Sequence, residues 1–151
     1  MLDKQFSLWL QQVLIETRKE LHMETAIVSY IENDEYNIVA VDSEMEGVFA
    51  PKQVFPLQDT YCRAVYESKQ SVRYEHVATV DGMLQHPVYQ AVKLESYIAA
   101  PITNSNDEVV GTLNFTSLIP HKPEFTDTQQ MMVDNLAAEL SSQIDKLKAL
   151  L

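Results

Sequence analysis

Two runs constrain this chain more than any other feature: S-Y-I-A-A-P-I-T at Ser96–Thr103 and E-V-V-G-T-L-N-F-T-S-L at Glu108–Leu118. Both are rich in small and β-branched residues. Asn104, Ser105, Asn106 and Asp107 between them are turn formers, so the runs read as paired antiparallel strands. Alternation along the second strand sets Val109, Gly111, Leu113 and Phe115 on one face and Val110, Thr112, Asn114 and Thr116 on the other. The first face is apolar and reads as core. The second is polar in mid-strand, as the floor of a small-molecule pocket would be. Gly111 inside the strand predicts a bulge or the close approach of another backbone.

Elements of both periods surround this pair. Asp3–His22 has helical spacing, with Phe6, Leu10, Val13, Leu14 and Leu21 on one broad stripe and Asp3 as the N-cap. Thr25–Ile31 and Tyr36–Val41 then alternate as strands around an Asn33-Asp34 hairpin turn. A polar loop, Ser43–Lys52, leads to a short strand at Val54–Leu57. Asp59 is expected to cap a short helix running to about Ser68, and Ser71–Tyr74 follows as a strand. Asp81-Gly82 marks a turn, and Pro87 opens another short helix. Pro120 and Pro123 bracket a loop, after which Thr126 caps a long helix expected to reach Leu151, with Asp127 suiting its first turn. Helix, strands, short helices, strands, helix is the order of an α+β domain with an antiparallel sheet of about six strands.

The C-terminal stripe Val133, Ala137, Leu140, Ile144, Leu147 and Leu151 alternates steps of four and three, the spacing of a coiled-coil seam. Its first half is expected to pack on the sheet. Beyond Ser142 it is expected to serve a homodimer through the terminal helices 3–22 and 126–151, to which the off-stripe Leu8 and Trp9 would add.

Composition narrows the function classes. The 151 residues suffice for one domain, 1–151, with a real core. The formal net charge of −11 disfavours nucleic acid and anionic membrane as partners. No apolar run approaches the roughly 18 residues of a membrane span, so no membrane insertion is expected. The N-terminus lacks the pattern of a signal peptide. A single cysteine, Cys62, excludes an intramolecular disulfide and suits a reducing, cytoplasmic setting.

Few residues offer chemistry. Cys62 falls one turn inside the helix expected to begin at Asp59, where a helix N-terminus would lower a thiol pKa. Free cysteines more often act as small buried hydrophobes, and that reading is preferred. His22, His76, His86 and His121 show no metal-pair spacing, and His86 before a proline reads as a turn or pocket-wall residue. Asp42, Glu44, Glu46 and Gly47 resemble the start of a calcium loop. Gln53 stands where its bidentate glutamate belongs, so a solvated loop is the better reading. No phosphate-binding glycine loop or Ser-His-Asp order occurs.

S-Y-I-A-A-P-I, a turn, V-V-G-T-L-N-F-T-S, then P-E-F-T and a long helix resemble the GAF domain family, small-molecule-sensing modules of bacterial signalling proteins. The segments F-P-L-Q-D-T-Y-C-R-A-V-Y and H-P-V-Y also fall where that family has them, so the resemblance covers nearly the whole chain. It implies terminal helices on one sheet face and, on the other, a ligand pocket bounded by short helices. Carried onto this sequence, the pocket residues are Phe55, Tyr61, Cys62, Tyr74, His86, Tyr89, Tyr97, Asn114 and Thr116. The implied function is sensory: an unidentified small molecule shifts the packing of the terminal helices, with no enzymatic activity. One alternative is a dimerisation module whose tyrosines fill the pocket. The other is a Cys62-dependent redox enzyme similar to the reductase of free methionine sulfoxide, which has the GAF fold. Against that enzyme, Gly82–Glu95 lacks its attacking cysteine, and Asn114 and Thr116 stand where it carries acidic residues. The Cys-His dipeptide of bilin-binding relatives and the N-K-F-D-E signature of the cyclic-nucleotide subgroup are also absent. Because the chain ends within a helical pattern, it reads either as a standalone protein or as the sensor part of a longer kinase or cyclase.

Overall fold

A computed structural model describes residues 4–151. The Asp3 cap expected for the first helix lies outside them. Helix α1 (Lys4–Leu21) is followed by β1 (Thr25–Glu32), β2 (Glu35–Ser43) and β3 (Val54–Pro56), then α2 (Cys62–Ser68), β4 (Val72–Tyr74) and α3 (Pro87–Ala91). Next come β5 (Ser96–Thr103), β6 (Val109–Ser117), α4 (Asp127–Ser141) and α5 (Ile144–Lys148). The six strands form one antiparallel sheet in the order β3-β2-β1-β6-β5-β4.

Local chemistry explains the main joints. Asn33 and Asp34 both sit at positive φ, 54° and 60°, the hairpin geometry that matches the twist of β1 and β2. Helix α1 ends because His22 turns left-handed at φ 57°, and the Met23 amide then bonds the Arg18 carbonyl at 3.0 Å. Thr126 and Gln129 form a reciprocal capping box at the start of α4. The β1–β6 pairing at the sheet centre has a tight point. A Cβ on Gly111 would collide with the Ser29 carbonyl oxygen and lie 3.2 Å from its carbon. Only glycine admits β1 at this distance.

Two cores lie on opposite sheet faces. On one, Phe6, Leu10 and Leu14 of α1 and Val133, Ala137 and Leu140 of α4 meet Val28, Ile98, Leu113 and Phe115. On the other, α2 and the segments before β5 pack Cys62, Val65, Val77 and Leu94 against Ile27, Tyr36, Ile38 and Tyr97.

Three expectations are corrected. Asp59 does not cap α2: it ends a 3-10 turn, Leu57–Asp59, and the helix begins at Cys62 with Tyr61 as a cap that makes no side-chain bond. Val110 leaves the pocket face. The β5–β6 register shifts between Ile102 and Thr103, and Val110 packs against the helix-side core. The C-terminal helix is broken, with α4 stopping at Ser141 and α5 beginning at Ile144. The break folds α5 inward. Leu147 is only 2% exposed within the helix-side core, Ile144 and Leu150 pack on that core, and Lys146 sits 5.7 Å from the Phe6 ring centroid. The expected seam beyond Ser142 is therefore largely consumed inside the chain, where it replaces water with core.

Gly111→Ala tests the sheet centre. Backbone cannot yield as a flexible side chain can, so a loss of about 1–3 kcal/mol is expected in a denaturant titration, the range of forced overpacking. A variant as stable as the parent would show that β1 and β6 can part at no cost.

Candidate functional site

A cavity of about 340 Å³ opens between the sheet and the α2–α3 side. Its floor is β6, with Asn114 and Thr116, flanked by Ile27 of β1, Tyr36 of β2 and Tyr97 of β5. Phe49 of the β2–β3 loop and Phe55 of β3 form one wall. Asp59, Thr60, Tyr61 and Cys62 form a second, and Pro87, Val88, Ala91, Val92 and Leu94 close the third. The lining is mostly apolar with a few polar groups, the usual composition of a small-molecule site.

Beneath the floor runs a buried network of hydroxyls centred on the Cys62 sulfur. Thr112 Oγ1 and Tyr97 OH each donate to Cys62 Sγ at 3.1 Å, and the thiol faces Tyr36 OH at 3.7 Å. Asn114 Nδ2 donates to Tyr36 OH at 3.0 Å and to Thr112 Oγ1 at 3.2 Å. Ser29 Oγ completes the chain, 2.7 Å from Thr112 Oγ1 and accepting the Thr112 amide at 3.1 Å. The network ties α2 to four strands. Burial pushes the Cys62 thiol up, its hydrogen bonds with Thr112, Tyr97 and Tyr36 only partly opposing it. Burial also holds the Tyr36 and Tyr97 hydroxyls well above their ordinary value, with the neighbouring sulfur adding to it. The helix-terminus activation of Cys62 considered from sequence is thus outweighed by desolvation.

One atom stands apart. Thr116, 4% exposed, lines the cavity, yet its Oγ1 is buried without a hydrogen-bond partner among the described residues. Buried hydroxyls are normally paired, and one left bare invites an explanation.

Six of the nine residues singled out from sequence line the cavity: Phe55, Tyr61, Cys62, Tyr97, Asn114 and Thr116. Tyr74, His86 and Tyr89 do not. Tyr74 stacks behind Tyr97 with centroids 5.9 Å apart, and His86 stands edge-on to Tyr61 at 4.8 Å. His86 also accepts the Val88 amide through Nδ1 at 3.2 Å, which starts α3, and burial lowers its pKa. Tyr89 packs half-buried against the pocket-side core and donates to Glu95 Oε2 at 2.7 Å. Tyr36 and Phe49 went unrecognised. The alternation Glu35-Tyr36-Asn37-Ile38 carried the signal for Tyr36, whereas nothing local points Phe49 of an irregular loop into a cavity.

That loop has an anchor. Arg18, near the end of α1, is buried and bonds Asp42 Oδ2 at 2.7 Å, Glu44 Oε1 at 2.9 Å and the Met23 carbonyl at 3.2 Å. It thereby joins α1 to the start of the segment that carries Phe49.

A GAF domain model matches residues 10–145. No curated protein matches the chain. Among solved structures, the GAF domain from an Acinetobacter phosphoenolpyruvate-protein phosphotransferase is similar at TM-score 0.73 and 15% identity, covering 93% of this chain and 82% of that one. The cyanobacteriochrome receptor PixJ aligns at TM-score 0.70 and 15% identity over 91% and 93%. A type II free methionine-R-sulfoxide reductase from Thermoplasma acidophilum aligns at 0.69 and 15% over 92% of each chain. Such identities speak for the fold alone. No helix among the described residues is long and apolar enough to cross a membrane.

Removing the bare hydroxyl should help the unliganded protein. Thr116→Val keeps the shape and deletes an unpaired polar atom, so a gain of about 1 kcal/mol is expected in chemical denaturation. A loss of stability would mean that the hydroxyl has a partner after all.

Proposed function

The chain belongs to the GAF domain family, and on that premise we propose that it is a sensory domain that binds a small molecule in the β6 cavity and passes occupancy to its terminal helices. The observation that carries this reading is a cavity of about 340 Å³ with an apolar wall and the Asn114 side chain on its floor. A pocket closed by its own tyrosines, as in a pure dimerisation module, would not hold that volume. Transmission has a physical route: a ligand that moves Phe49 moves the segment whose start is held by Arg18, and Arg18 belongs to α1. A ligand biases α1 only so far as it prefers one arrangement of that segment.

The non-enzymatic reading is supported by the state of the thiol. Cys62 is buried and protonated, and no second cysteine exists to resolve a sulfenic acid. The zwitterion of free methionine sulfoxide would also find no Lys or Arg on the lining for its carboxylate. The lone thiol supports a reducing compartment such as the cytoplasm. Self-association is proposed through the outer face of the helix layer, where Leu8 and Met131 are 72% and 60% exposed. Leu8→Glu with Met131→Glu should then be monomeric in analytical ultracentrifugation where the parent is dimeric.

Native mass spectrometry of protein isolated from its own cells tests the sensory reading. A bound small-molecule mass is expected in the parent and a reduced one in Asn114→Leu, which loses a polar contact worth about 0.5–1.5 kcal/mol. Hydrogen exchange in α1 should slow with the ligand bound, and less so in Arg18→Met. Unchanged exchange in α1 on binding would remove the transmission route. Alkylation of Cys62 at neutral pH should be at least about tenfold slower in the folded than in the unfolded protein. Turnover of free methionine sulfoxide by the parent, lost in Cys62→Ser, would overturn the non-enzymatic reading.

A further inference from the structure

The chemistry of the cavity narrows what it accepts. Its lining includes no Lys, Arg or His, so an anion entering it would meet no counter-charge. The neighbouring cations do not supply one. Arg63 of α2 lies outside the lining and pairs with Glu67 Oε2 at 3.2 Å. His86 stands behind Tyr61, with burial favouring its neutral form. A cation fares no better at depth, because the single lining carboxylate, Asp59, is only half-buried and belongs to the turn before α2. The floor beneath is neutral too, since burial keeps the Tyr36 and Tyr97 hydroxyls and the Cys62 thiol protonated. Burying an isolated charge there would be strongly unfavourable.

What the cavity does offer is apolar surface with one polar pole. Phe49, Phe55, Val88, Val92 and Leu94 make the walls. Asn114 and Thr116 stand together on the floor, and the other lining hydroxyls are spent, Thr60 on the Leu57 carbonyl at 2.8 Å, Tyr61 on the Leu94 carbonyl at 2.9 Å, and Tyr36 and Tyr97 in the network around Cys62. Asn114 spends its Nδ2 on Tyr36 and Thr112, while its Oδ1 accepts no hydrogen bond among the described residues and so suits a hydroxyl donor. A volume of about 340 Å³ lies at the small end of ligand sites.

We infer that this cavity takes an uncharged, compact molecule, an aromatic or alkyl body carrying one hydroxyl that donates to Asn114 Oδ1, and rejects nucleotides and carboxylates. This inference rests on the pocket reading above, and the experiment separates the two. Three probes are titrated into the whole protein by calorimetry: 2-naphthol, 2-naphthoate with the same body and a negative charge, and cyclic guanosine monophosphate. The expected result is 2-naphthol binding at least about tenfold tighter than either anion, since an unpaired buried charge is so costly. Asn114→Leu should weaken 2-naphthol about three- to tenfold, the loss of one net hydrogen bond, and leave unsubstituted naphthalene unchanged. Binding of either anion as tight as 2-naphthol, or indifference of 2-naphthol to Asn114→Leu, would overturn the ligand class while leaving the pocket standing. Binding of none of the probes would overturn the pocket reading and this inference with it.

Discussion

The pairing of β1 with β6 is the constraint on which the rest of the structure depends. Thr25 lies opposite Thr116 and Tyr30 opposite Gly111, so the first strand is joined to the last at the sheet centre. Gly111 lets the backbones close, and Ser29 then reaches Thr112 to begin the hydroxyl chain under the cavity. Were the strands held apart by a methyl group, both the sheet and the cavity floor would shift. Contacts so distant in sequence are slow to form, because loop closure precedes their reward. The cavity floor is thus completed only when the two ends of the fold have met.

Polar atoms on the pocket side are used in two ways. Most serve to fix α2: the thiol and the hydroxyls of Thr112, Tyr97 and Tyr36 satisfy one another in a low-dielectric interior, where such networks are stiff. Thr116 is left over.

Much of this was legible in the residues. The turn formers between β5 and β6, Asn33-Asp34, the capping pair Thr126 and Gln129, and the polar face of β6 each act locally, so period and turn chemistry reveal them. What was hidden depends on tertiary contact. Helix α2 starts at Cys62 because the Leu57–Asp59 turn claims Asp59 first. The break between α4 and α5 occurs in a Ser-Ser-Gln stretch with neither glycine nor proline, and it exists because folding back buries Leu147. Register shifts opposite Val28/Ser29 and Ile102/Thr103 interrupt the strict alternation that a strand reading assumes. Phe49 reaches the cavity from an irregular loop, for which no periodicity exists.

The two cores share the sheet's backbone but not its side chains: along β6, Leu113 and Phe115 belong to one and Asn114 and Thr116 face the other. That separation has an evolutionary consequence. Substitutions at Asn114, Thr116 or Val88 alter the cavity lining without removing a side chain from the core under α1 and α4. Drift among the helix-side core residues likewise removes no side chain from the lining. In such a scaffold the cavity lining and the helix-side core are therefore free to diverge on independent schedules.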